Sequence, residues 1–277
     1  MKIPDAPSSI QKGVPLKNVL GEQAIQQLAE NIKTVYKNFD SEGFCSVLYP
    51  KIINLTLMER SKYIAKTLYE FLPVPYCNAL EILLKTLTQP LLKTHDNGLA
   101  PMFYLPHCDF VAMYGTEARF NKGQDPFEIS LKAQYELTQR FTCEFSIRAF
   151  LQNDTERTLA VLSIWCLDEN PHVRRLCSEG TRPRLPWAKK LLPFIENPRL
   201  TLPILEALKN DTNLYVRRSV ANHLGDIAKD HLHLALDVCE NWLDSSSKEL
   251  KWVIRHALRN PAKKGNARAL SIRRLAV

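Results

Sequence analysis

Asn170-Pro171-His172-Val173-Arg174-Arg175 recurs as Asn213-Leu214-Tyr215-Val216-Arg217-Arg218, a period of 43 residues. Each copy follows an apolar run and an acidic turn. Ile164-Trp165-Cys166-Leu167-Asp168 precedes the first, and Ile204-Leu205-Glu206-Ala207-Leu208 with Asp211 precedes the second. A weaker third copy, Trp252-Val253-Ile254-Arg255-His256, begins about 38 residues further on. A paired-helix unit recurring at about 40–47 residues is the signature of HEAT-type repeats. Such units stack side by side and turn their second helices toward one concave surface. The fold expected is an all-α, HEAT-like helical-repeat solenoid.

Outward from this motif the apolar spacing stays helical. Ile25, Leu28, Ile32, Val35, Tyr36 and Phe39 keep a 3–4 rhythm. Similar stretches mark helices at about 60–72, 76–93, 128–151, 155–168, 203–209, 214–230, 232–243 and 248–259. Proline, glycine and Asn/Asp clusters divide them, and Pro101 to Pro126 reads as a short helix with a loop. The expected organisation is an irregular arm over 1–20, one repeat domain over 21–270 and a basic tail over 271–277.

Composition narrows the class. At 277 residues, 45% apolar and 24% charged, the chain is neither disordered nor fibrous. Nine glycines leave few tight hairpins, which argues against a many-stranded β protein. No apolar run reaches the length of a spanning helix, and Met1-Lys2-Ile3-Pro4-Asp5-Ala6-Pro7 lacks the apolar stretch of a signal peptide. Seven scattered cysteines without Cys-x-x-Cys read as buried thiols of a reducing, cytoplasmic compartment. His107-Cys108 and His231-x-His233 are isolated, so no metal site and no cofactor is expected.

Charge separates the two halves. Residues 1–138 hold 14 Lys+Arg against 14 Asp+Glu, and residues 139–277 hold 23 against 15. Only Arg60 and Arg119 precede position 139, whereas fifteen arginines follow it. Arginine makes planar, bidentate contacts with phosphate, so the back half suggests a polyanionic partner, most simply nucleic acid.

At 100° per residue, Val216, Val220, Leu224 and Ile227 share one arc of helix 214–230, and Arg218, Asn222, Asp226 and Lys229 share the opposite one. Arg175 and Glu179 stand four apart on the preceding unit. Glu144 falls between Arg140 and Arg148 at i−4 and i+4, on a segment whose Phe141, Cys143, Phe145 and Ile147 are apolar; a half-buried Arg-Glu-Arg ladder is expected there. Gly180 to Lys190 contains two prolines and Trp187 and reads as an irregular, cationic loop of the kind that carries function. Trp165, Trp242 and Trp252 lie on apolar faces and read as core.

Three carboxylates (Glu144, Glu179, Asp226), a loop tryptophan and many arginines suit hydrolysis of the N-glycosidic bond of a cationic, alkylated purine in DNA. Arg148, Arg175, Arg182, Arg184, Arg218 and Lys229 are the candidate DNA contacts. An aromatic face attracts a positively charged base. A carboxylate steadies the oxocarbenium-like sugar and positions water on the opposite side. The rival class is a non-catalytic HEAT scaffold that binds nucleic acid or protein.

The same residues carry a resemblance. Arg140-Phe141-Thr142-x-Glu144-Phe145-x-Ile147-Arg148, Ser178-Glu179-Gly180-Thr181-Arg182-Pro183-Arg184-Leu185-Pro186-Trp187 and Asn222-His223-Leu224-x-Asp226-Ile227-Ala228-Lys229-Asp230 resemble the AlkC family. This is a bacterial branch of the HEAT-like-repeat DNA glycosylases that also includes AlkD, and the resemblance runs from about Leu16 to Leu270. It implies a monofunctional glycosylase releasing 3-methyladenine from double-stranded DNA. By resemblance, Glu144, Glu179 and Asp226 are the catalytic carboxylates, Trp187 is the lesion-contacting tryptophan, and Arg175, Arg182 and Arg218 are DNA-facing. Gly225 stands where family members often have asparagine. The chain resembles the shorter branch, without the immunoglobulin-like domain of longer members; its basic residues Lys263, Lys264, Arg268, Arg273 and Arg274 are a candidate substitute grip. A monomer that keeps away from membranes is expected.

Overall fold

The structure, a computed structural model, describes residues 1–244 and 247–277, and every regular element among them is helical. Contacts divide the chain into two compact units, Met1–Asn153 and Asp154–Val277, where the periodicity is read as one domain over 21–270.

In the first unit run α1 (Glu22–Val35), α2 (Ser41–Ile52), α3 (Leu57–Phe71), α4 (Tyr76–Lys85), α5 (Leu105–Tyr114), α6 (Phe127–Thr138) and α7 (Ile147–Asn153). Their starts are written locally. The Asp40 carboxylate accepts the Gly43 amide at the head of α2, and Thr56 with Glu59 forms a capping box on α3. Ile25, Leu28, Ile32, Phe39, Phe44 and Leu48 build the core with Ile64 and Leu68. The arm over 1–20 is tied down: Asn31 Nδ2 donates to the Lys2 carbonyl at 2.7 Å, and the Leu99 amide to the Pro7 carbonyl at 2.9 Å.

Three expectations change here. The spacing above does not mark α2. The helix expected over 76–93 stops at Lys85, where the Thr86 hydroxyl takes the Leu83 carbonyl. The single helix expected over 128–151 breaks between α6 and α7, because Arg140 Nη1 reaches back to the Glu136 carbonyl at 2.6 Å and Nε to the Thr88 carbonyl. Arg140 therefore caps α6 instead of continuing it.

In the second unit run α8 (Thr155–Trp165), α9 (Pro171–Gly180), α10 (Leu192–Glu196), α11 (Leu202–Leu208), α12 (Leu214–Asp230), α13 (Leu232–Leu243), α14 (Lys248–Ala257), α15 (Arg259–Lys263) and α16 (Ala267–Leu275). α12 is the central helix, packing on α9, α13 and α14. Val216, Val220, Leu224 and Ile227 are its core stripe, as the helical angle predicts, each worth about 1.5–3 kcal/mol when buried.

The two copies of the recurring motif fold alike. Asn170 and Asn213 cap α9 and α12 by accepting the His172 and Tyr215 amides, both at 2.9 Å. Asp168 and Asp211 each accept the amide of their own capping asparagine. Arg174 and Arg217 each fold back onto the carbonyls of the acidic turn before them. Arg174 also donates to both Asp211 oxygens, at 2.5 and 3.0 Å, stapling one repeat to the next. The first arginine of each pair is thus structural, and only the second is left for a surface.

Gly225 sits where α14 crosses α12: a Cβ there would stand 3.3 Å from the Ala257 carbonyl oxygen. Trp242 is buried as expected, but Trp165 and Trp252 are only half-buried. Residues 271–275 complete α16, with Ile272 buried, and Arg268 is taken up by Asp237 and Glu240. Six of the seven cysteines are buried and Cys77 is half-buried. Among the described residues no helix is long and apolar enough to cross a membrane.

Candidate active site

Glu179 is the penultimate residue of α9. The helix stops there because the Thr181 hydroxyl takes the Cys177 carbonyl at 2.6 Å, turning the chain so that Arg182 faces back toward Glu179. Arg182 Nη1 donates to Glu179 Oε1 at 2.7 Å, and its Nε donates to Asp226 Oδ2 at 2.8 Å. One guanidinium therefore bridges the end of one repeat's second helix and the middle of the next.

The other carboxylate oxygens are also engaged. Glu179 Oε2 accepts from the Ser219 hydroxyl at 2.6 Å, and Arg175 Nη2 lies 3.4 Å from Oε1. Asp226 Oδ1 accepts from Lys229 Nζ at 2.7 Å. Both acids are buried, at 6% and 2% exposure. Burial pushes the Glu179 carboxyl up, but the charges of Arg175 and Arg182 and the Ser219 hydroxyl outweigh it and hold the group below its ordinary range. Glu179 is thus ionised at neutral pH. Burying such charges is costly unless every partner is present, and removing one partner leaves a bare charge in low dielectric.

Beside this network lies His223, fully buried, donating from Nδ1 to the Ser178 carbonyl at 3.0 Å. Burial pushes its pKa down to about 4, so it is neutral at pH 7 and adds no charge to the cluster.

The expected site residues divide as follows. Glu179, Arg182, Asp226, Lys229 and Arg175 form the network above. Asp226, though on the helix arc opposite the apolar one, is covered by Arg182, which arrives from the loop after α9. Arg175 is held over the Tyr215 ring, 5.0 Å from its centroid. Arg218 is exposed on the same stripe of α12.

Trp187 is 81% exposed and stands at φ +64°, the left-handed region, which is unusual for a bulky side chain. Its loop is anchored by Leu185, which is buried, and by the Leu191 amide on the Pro183 carbonyl. Arg184 secures it further with two 2.6 Å bonds to Asp230.

The remaining site residues lie as follows. Glu144 lies in a turn and not on the continuous helix its spacing implies, and Arg140 pairs with Glu136 at 3.0 Å. Glu144, in the first unit, is half-buried and accepts from the Thr142 hydroxyl at 2.8 Å. Arg148 is buried at 4% exposure. Arg182 and Arg184 both donate to carboxylates, and Arg182 is buried as well. Ser219 is the residue the sequence reading passes over. Its position seven before Asp226, two turns along one helix face, is the signal that marks it.

No family model matches the chain. It is 39% identical over 261 residues to the uncharacterized protein YhaZ of Bacillus subtilis (strain 168), covering 93% of this chain and 67% of that one. Among solved structures it matches the Pseudomonas fluorescens alkylpurine DNA glycosylase AlkC bound to DNA containing an abasic site analog. That likeness has a TM-score of 0.82 at 37% identity, over 94% of this chain and 68% of the other.

Proposed function

The chain belongs to the AlkC family of helical-repeat proteins, and from that premise we propose that it is a DNA glycosylase acting in the cytoplasm on alkylated bases in duplex DNA. Its substrate is a cationic purine nucleotide, 3-methyladenine first, and it works as a single copy. The observation that carries this reading is the pair of buried carboxylates, Glu179 and Asp226, held on the one Arg182 guanidinium.

The chemistry follows from the charge. An N3-alkylated adenine is already positive, so when the bond from C1′ to the base breaks, its electron pair leaves with the base and neutralises it. No strong general acid is required, and neutral, buried His223 supplies none. The sugar passes through an oxocarbenium-like cation. Glu179 and Asp226 stabilise that cation and orient a water, which adds to C1′ and yields its proton to a carboxylate, leaving an abasic site; Glu144 is proposed as a further catalytic carboxylate on the family resemblance. Trp187 offers its exposed face to the cationic base, an attraction worth about 0.5–2 kcal/mol. Arg175, Arg218 and Lys229 meet backbone phosphates.

The test is release of free 3-methyladenine from methylated duplex DNA. Asp226→Asn and Glu144→Gln are expected to fold normally and lose release by a factor of about 100 or more. Unchanged release in both discards the site assignment. Salt-sensitive DNA binding without base release by the wild-type chain favours the scaffold reading.

A further inference from the structure

Arg259, the first residue of α15, is held in an unusual way. Its Nη2 donates to Asn222 Oδ1 at 3.0 Å and its Nη1 to the His256 carbonyl at 2.6 Å. The same Asn222 oxygen accepts from His256 Nε2 at 3.2 Å, and the His256 ring stacks on Trp252, with centroids 4.8 Å apart and planes at 14°. Two donors meeting on one oxygen fix the amide orientation. The guanidinium is thus oriented entirely by neutral groups.

That distinguishes it from its neighbours. Arg174, Arg175, Arg182, Arg184 and Arg268 each face a carboxylate. Among the described residues neither Arg259 nor Arg218 has a carboxylate within ion-pairing distance, and Arg259 uses only two of its N–H groups. Positioning a guanidinium firmly without a direct ion pair is what a site for an anionic ligand requires.

The location fits one anion. Arg218, Asn222 and Asp226 lie at i, i+4 and i+8 on α12, so Arg259 docks on the residue one turn from each of Arg218 and Asp226. Asn222 is about 6 Å along the helix from Asp226. The phosphates on either side of a nucleotide lie at similar range from its anomeric carbon. Both cations also act on the His256 imidazole, which burial, then Arg259 and Arg218, depress to about 4; the histidine stays neutral and donates a hydrogen bond without adding charge.

Building on the glycosylase reading, we propose that Arg218 and Arg259 together clamp one phosphodiester of the DNA strand beside the damaged nucleotide, and that Asn222, braced by His256, is the residue that positions Arg259 for it. Recognition is of the backbone, so it is indifferent to base identity.

The experiment is equilibrium binding of the full chain to a duplex carrying a tetrahydrofuran abasic analogue, titrated with KCl. Arg218→Gln and Arg259→Gln are each expected to weaken binding roughly tenfold and to lower the slope of log affinity against log salt by about one. Asn222→Asp, which supplies Arg259 with an internal counter-charge, is expected to lower the slope equally while Arg259 is still present. Arg268→Gln, whose charge is already met by Asp237 and Glu240, is expected to keep the wild-type slope. Wild-type slopes in Arg259→Gln and Asn222→Asp overturn the clamp, and exposed Arg218 keeps the test open if Arg259→Gln folds poorly. A lowered slope in a wild-type background that releases no base sinks the glycosylase reading and leaves the phosphate clamp standing.

Discussion

Arg182 donates to Asp226 at 2.8 Å across two successive repeats, and the same guanidinium holds Glu179. All three side chains are at most 10% exposed. Removing the cation therefore strands two buried carboxylates. Arg182→Met is expected to cost about 3–5 kcal/mol. Asp226→Asn keeps an acceptor for Arg182 and should cost about 1 kcal/mol. Urea unfolding checks the pair; equal costs for both would mean that Arg182 is not the linchpin.

Trp187 gives a prediction of opposite sign for stability and function. Its side chain is 81% exposed and its backbone sits at φ +64°. Trp187→Gly removes little packing and relieves left-handed strain of about 1 kcal/mol. The melting temperature is expected to hold or rise while lesion release falls. A destabilised Trp187→Gly would place the indole in the core instead.

Loosening the loop from outside should act through the same residue. Arg184 and Asp230 are joined by two 2.6 Å bonds, which tie the Trp187 loop to the C-terminal turn of α12. Asp230→Asn is expected to raise KM for damaged DNA more than it lowers kcat. The swapped pair Arg184→Asp with Asp230→Arg should restore KM in part.

The Arg174–Asp211 staple is purely structural in this account. A double-mutant cycle with Arg174→Ala and Asp211→Ala is expected to give a coupling of about 1.5–3 kcal/mol. The unfolding midpoint should fall in both variants while DNA affinity at fixed salt stays the same. Loss of DNA affinity in a folded Arg174→Ala chain would contradict that sorting.

Buried carboxyls in the two units respond to pH with opposite signs. Glu179 is held below its unfolded value, so its contribution is present above that value and is lost as pH falls through the folded one. Asp109, on α5 beside Ser61, is pushed up to about 6 by burial, which outweighs the Ser61 hydroxyl and Lys62. Its raised value favours the fold at low pH, and that stability is lost as pH rises through 6. Asp109→Asn is therefore expected to stabilise the chain at pH 8 by up to about 3 kcal/mol, the advantage vanishing below pH 4. Equal stability of the two chains at pH 8 would show that Asp109 bears no burial penalty.

Much of the fold is legible because its signals are local. The recurring Asn-x-x-Val-Arg-Arg block carries its own cap, its own acidic turn and its own core valine, and it folds the same way twice. What resists reading depends on partners far away in sequence. Nothing in the motif separates Arg174, which is consumed by Asp211, from Arg175, which faces Glu179. The burial of Asp226 is not written on its own helix, because the arginine that covers it arrives from beyond the preceding helix. The break after α6 is written in Arg140, but only a competing bond to the Glu136 carbonyl turns that arginine from helix former to cap. Glu179 with Arg182 was accessible from spacing alone, being three apart at a helix end.

The most direct test measures binding and chemistry on the same protein: affinity for abasic-analogue duplex, and single-turnover release of 3-methyladenine, for the wild type and Asp226→Asn. The expected result is undiminished or slightly tighter binding with release slowed by about a hundredfold or more in the variant. Release at the wild-type rate from Asp226→Asn, or none from a wild-type chain that binds the duplex, would contradict the account.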